Sequence, residues 1–124
     1  IKILPELDKL KLNVKLIAAV SYELFDLQPE SYRKSIVSDA DWLDSTFITN
    51  AAKKNMSDWC AHKIAEEYAM SSDWDNKWRT GGSVEELCEE AHISPSWLLK
   101  GIRKFVEERS VRIKRIKSLL SSID

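Results

Sequence analysis

The chain has 124 residues, 44% of them hydrophobic, and a formal charge of −1 at pH 7. That suits one packed domain and excludes two, and it excludes a disordered segment. The near-neutral balance also excludes a global field that would draw nucleic acid or an anionic membrane, and no apolar run approaches the roughly 20 residues that span a bilayer.

Ile1-Lys2-Ile3-Leu4-Pro5 has neither the long apolar stretch nor the cleavage site of a secretory signal. With no initiator Met, the chain is expected to begin inside a longer polypeptide. Val14 to Val20 is a compact apolar run rich in Val and Ile, which predicts a buried strand of a parallel sheet. Tyr22 to Gln28 predicts a helical turn, and Pro29 introduces a short helix over 30–37. Ser45 to Thr49 predicts a second strand ending at Asn50, Ala51 to Ala65 a helix, and Glu67 to Met70 a third strand. Ser71 to Gly82 is a loop. Ser83 with Glu86 three residues on is a capping-box signature for the next helix. Ser94 and Pro95 open another, whose apolar stripe runs from Trp97 through Phe105 to Ile123, nearly to the C-terminus.

These elements predict an α/β fold: a small, mostly parallel sheet flanked by helices, with long C-terminal helices, in a single domain over 1–124. A three-stranded sheet with apolar edges needs a partner domain or subunit to cover it.

Candidate chemistry is sparse. Cys60 with His62 and Cys88 with His92 contain zinc-ligand types, but a single intervening residue in the first pair is unusual for a structural site. Isolated buried thiols and histidines need no metal. Two cysteines make no disulfide framework, so a cytoplasmic setting is expected. No nucleophile elbow or phosphate loop is present, since Gly81-Gly82 lacks the Lys and the spacing. The pairs Asp39/Asp41 and Asp73/Asp75 read as solvated loop carboxylates. We assign no catalytic, cofactor-binding or metal-binding residue.

Two stretches carry more. Residues 83–105 have the helix–turn–helix pattern of a DNA-binding module, with Ser94, Ser96 and Lys100 placed to reach bases. Against that reading, the first helix carries Glu85, Glu86, Glu89 and Glu90, His92 stands where the turn prefers Gly, and Trp97 suits a core better than a base edge. The seven basic residues from Arg103 to Lys117 alternate with apolar ones and read as the solvated face of a packed helix. The loop Ser71 to Gly82 is the most distinctive stretch. Trp74 and Trp78 in a polar loop must fold back on the domain or meet another one. Arg79 beside them has the fork that binds a carboxylate or phosphate bidentately. Trp74, Trp78 and Arg79 are therefore the candidate interdomain or anion contacts.

The order Leu4-Pro5-Glu6-Leu7, Val14 to Val20, Glu23-Leu24-Phe25-x-x-Gln28 and Tyr32-Arg33-x-Ser35-Ile36-Val37 resembles the opening of the transketolase C-terminal domain. There a strand leads into an E-L-F-x-x-Q turn and a Y-R-x-S-V-L helix. Ser83 to Phe105 is similar to that family's closing helices. The resemblance covers most of residues 4–106; phosphoketolases and the homodimeric pyruvate dehydrogenase first component are related alternatives. It implies a non-catalytic structural or regulatory domain of a thiamine-diphosphate-dependent, ketol-transferring enzyme. Its partners would be the remaining domains of that enzyme, within a homodimer. Thiamine diphosphate and Mg²⁺ would sit on the preceding two domains, and no catalytic residue of the family carries over to this chain. The sequence departs from the family's pattern in lacking most of its opening strand and helix, and in the Asp73-Trp74-Asp75 and Trp78 to Gly82 segments.

Overall fold

Residues 2–79 and 81–123 are described by a computed structural model; Ile1, Thr80 (within the Trp78 to Gly82 segment) and Asp124 lie outside the described residues. The elements are mostly helical: α1 Leu4–Lys9, α2 Tyr22–Asp26, α3 Glu30–Ile36 and α4 Asp39–Leu43, then β1 Ile48–Thr49 and a 3-10 helix over Lys53–Trp59. They continue with α5 Lys63–Glu67, β2 Met70–Ser71, α6 Val84–Glu90, α7 Pro95–Glu107 and α8 Arg109–Ser121. The fold is a small mixed α/β arrangement. Its one described sheet is a parallel pair, with Ile48 opposite Met70 and Thr49 opposite Ser71.

The predicted strand at Val14 to Val20 does not form. Val14 packs beside the core cluster of Leu7, Met70 and Ile102, and Lys15 is held 2.6 Å from Asp41 of α4. Beyond that anchor the chain runs over the surface, with Leu16 and Ile17 exposed and Val20 91% exposed. A strand that is apolar on both faces needs cover on both sides and a neighbour of its own length; β1 is only two residues long.

The predicted helix over 51–65 splits in two. Lys53–Trp59, which contains the weak helix formers Asn55, Ser57 and Asp58, forms only a 3-10 segment. His62 restarts the helix: its Nδ1 accepts from the Ala65 N–H at 3.2 Å, and Nε2 lies 2.8 Å from the Leu43 carbonyl. The third strand begins later than predicted, at Met70, because Glu67 still belongs to α5 and pairs with Arg115. α1 and α4 were not foreseen. The second is closed by a capping box between Ser38 and Asp41, so Asp39 and Asp41 lie on a helix and not in the expected loop, with Asp41 as part of its cap.

The C-terminal elements follow the sequence more closely. Ser83 and Glu86 form the expected capping box. Ser94 stands at the expected N-cap of α7, but its hydroxyl donates to Glu89 at 2.6 Å instead of accepting from the helix. The long final helix breaks at Glu108, where ψ moves to 11° and one helix closes as the next opens. Arg112 turns back across the break to the Phe105 carbonyl and to Asp44. Met70 of β2 lies directly against α7, and Gly101 permits that approach: a Cβ there would sit 2.5 Å from the Met70 sulfur. Tyr22, Phe25 and Trp42 gather around Trp59, with ring centroids 5.3–6.1 Å away.

Candidate functional site

The loop after β2 and the turn between α6 and α7 meet at one end of the molecule. α6 ends in a Schellman motif: the Ile93 N–H donates to the Cys88 carbonyl at 2.9 Å, and the His92 N–H donates to that of Glu89 at 3.1 Å. This puts His92 in the left-handed conformation, with φ 58°, at the position where the sequence pattern calls for Gly. The imidazole lies between two indoles. Its centroid is 3.8 Å from that of Trp74 and 3.6 Å from that of Trp97, with interplanar angles of 11° and 12°.

Each indole is also fixed by its N–H. Trp74 Nε1 donates to the Glu90 carbonyl at 3.3 Å, and Trp97 Nε1 to Glu89 Oε1 at 2.8 Å. The second Glu89 oxygen accepts from Ser94. Lys100 Nζ, one turn along α7, lies 4.8 Å from the Trp97 ring centroid, within cation–π range.

Of the three predicted contact residues, the structure brings Trp74 and Arg79 into this framework and leaves Trp78 outside it. Arg79 is largely buried and already committed. Nη2 donates to Asp75 Oδ1 at 2.7 Å and to the Ser72 carbonyl at 3.0 Å, while Nη1 donates to Asp75 Oδ2 at 3.1 Å and reaches Glu90 at 3.4 Å. The hydrogen bond to Asp75 raises the guanidinium pKa above its ordinary value. Burial works to raise the Asp75 carboxyl, but Arg79 outweighs it and holds that pKa below the usual range. An anion could use the fork of Arg79 only by displacing Asp75. Trp78, by contrast, is 97% exposed.

The other sequence candidates are spoken for locally. The Cys60 thiol donates to the His62 carbonyl at 3.4 Å, and burial raises its pKa. Among the described residues, no three His, Cys, Asp or Glu side chains converge to hold a metal ion. Asp73 accepts from the Lys53 N–H. Sequence reasoning missed the Trp74–His92–Trp97 stack, although a His in a Gly position between two tryptophans was the available signal.

Beside the stack, a groove of about 790 Å³ runs along α7, floored by Met70 and Gly101. No protein-family model, curated protein or solved structure matches the chain. No helix of the described residues is long and apolar enough to cross a membrane.

Proposed function

We propose that the chain is a non-catalytic docking and stabilising domain of a larger thiamine-diphosphate-dependent enzyme of the transketolase type, acting within a homodimer. The observation that carries the reading is an outward-facing apolar tract. Leu16, Val20 and Leu24 are exposed, and Leu27 is 79% exposed. These residues fall in the segment on which the resemblance rests, and large apolar side chains left outside the domain's own core are available to pack on another protein surface. Trp78 adds an unpacked indole on a loop pinned at both ends, by Trp74 and by Arg79; tryptophan is a frequent anchor of interfaces. The parallel pairing of β1 and β2 is compatible with the family's sheet.

The cofactor and its Mg²⁺ would belong to the preceding domains, and no residue of this chain is assigned to them. What this chain contributes is binding surface and stability.

The helix–turn–helix reading draws support from α6 and α7, but its base-reading end is occupied. Glu89 places a carboxylate at the start of α7 and holds both Ser94 and Trp97, where phosphates or bases would have to approach.

An antibody against this domain, used on extracts of the source cells, tests the proposal. The expected result is one native polypeptide several times larger than 14.3 kDa that transfers a ketol group when isolated. A native species of about 14.3 kDa that co-purifies with no larger subunit overturns it.

A further inference from the structure

We propose that the groove between α7 and β2 binds a small organic anion bearing a flat unsaturated ring, of which an aryl phosphate is the simplest example. This site does not depend on the docking role. The groove's volume of about 790 Å³ falls in the usual range for small-molecule sites, which are mostly apolar with a few placed polar groups. Ala69, Met70 and Leu99 supply apolar walls, and Trp74, His92 and Trp97 close one end.

The charge along the groove is uneven. Lys100 and Lys104 line it one helical turn apart, on the same side of α7. Among the described residues neither is paired with a carboxylate; Lys100 rests over Trp97, and Lys104 Nζ lies 5.8 Å from the Tyr68 ring centroid. The far end is balanced, with Arg103 3.6 Å from Glu107 and with Glu108 close by. The ring-stack end carries the Glu89 carboxylate, bonded to Trp97 and Ser94, so the unpaired positive charge lies between the two ends, at Lys100 and Lys104. This placement sets an orientation, with the anion between Lys100 and Lys104 and the ring on the apolar wall beside Trp97.

Ser71 gives a second, independent indication. It lines the groove, is 1% exposed, and its hydroxyl has no hydrogen-bond partner among the described residues. An unsatisfied buried hydroxyl is destabilising, and a phosphate oxygen that parts the groove floor above Ser71 would satisfy it. A peptide would need a longer channel than the one bounded by the ring stack and the Arg103–Glu107 pair. A second copy would have to offer its acidic α6, where Glu89 and Glu90 are already engaged.

The test is a titration of the protein with phenyl phosphate, followed by the indole N–H signals of Trp74 and Trp97 and the amide of Gly101 in ¹H–¹⁵N spectra. Inorganic phosphate and phenol serve as the charge-only and ring-only comparisons. The expected result is saturable shifts at these signals, with affinity about tenfold or more above either comparison. The double variant Lys100→Gln/Lys104→Gln should lose about tenfold or more, because charged hydrogen bonds carry that much. Its far-UV circular dichroism and indole dispersion should match the parent, which separates lost binding from lost folding. The inference is overturned by shifts absent up to about 10 mM ligand or confined to other residues. Unchanged affinity in the double variant overturns it too, as does a signal that follows protein concentration in place of ligand.

Discussion

Arg112 has a guanidinium 1% exposed to solvent, and an ion so deeply buried persists only when its environment replaces the water it has lost. Asp44 supplies two contacts, at 2.7 Å from Nη2 and 3.2 Å from Nε, and the Phe105 carbonyl accepts from Nη1. The guanidinium also lies 3.7 Å from the Phe105 ring centroid and 5.3 Å from that of Tyr68. Arg112→Ala removes charge, packing and the tie across the α7–α8 break together, and is expected to cost about 3–5 kcal/mol in urea unfolding. Arg112→Lys should recover little of this, since an ammonium cannot reproduce the fork. Asp44 adds a pH dependence. Burial pushes its carboxyl up, but Arg112 and Arg109 outweigh that and hold the pKa below its ordinary value. A depressed folded-state pKa means stability that is fully present above the unfolded value near ~4 and is lost as pH falls through the folded one. Across that acidic window the unfolding midpoint should therefore fall more steeply for the parent than for Asp44→Asn.

At the scale of elements, α7 is placed by a single absent side chain. Met70 occupies the space over Gly101, with its sulfur 2.5 Å and its Cγ 2.8 Å from where a Cβ would stand. Alanine is the better helix former by about 1 kcal/mol, but crowding a packed contact costs about 1–3 kcal/mol. We therefore expect Gly101→Ala to be net destabilising by about 1 kcal/mol in denaturant titration, and Met70→Ala to make the same change at Gly101 less harmful, since it removes the obstructing atoms. The same contact explains what was legible in the sequence. The helices at 84–90 and 95–107 announce themselves through local signals: the Ser83/Glu86 box, the Ser94-Pro95 start and the spaced apolar stripe. α4 was missed despite a local signal, its Ser38/Asp41 capping box; two other failures are places where tertiary partners decide. Val14 to Val20 has the composition of a strand but no strand beside it to pair with. The break at Glu108 depends on Arg112 finding Asp44, which is 68 residues earlier in the chain. For the candidate site, the Trp74–Trp78 loop could be singled out by composition alone. That one tryptophan would stack on His92 and the other face solvent follows from the turn geometry of α6, which no spacing in the loop encodes.

For the molecule as a whole, the distribution of apolar side chains separates what folds the chain from what is left for something else. The cluster of Leu7, Met70 and Ile102, with Leu98, Leu99 and Val106 around it, ties α1, β2 and α7 together. Leu24, Leu27 and Trp78 lie outside it and are exposed. Leu7→Ala should thus destabilise the chain by about 2–5 kcal/mol. The triple variant Leu24→Ser/Leu27→Ser/Trp78→Ser should change its stability by no more than about 0.5 kcal/mol per site and should raise its solubility. If the chain docks within a larger dimeric enzyme as proposed, the same triple variant placed in that polypeptide should do the opposite of what it does alone. It should lower the thermal midpoint of the assembly and weaken the dimer, because apolar area that another domain covers is then lost from an interface. Differential scanning calorimetry on both forms reads the contrast directly. A triple variant that is silent in both settings would mean that the exposed tract covers nothing, and one that unfolds the isolated chain would mean that the tract belongs to the domain's own core.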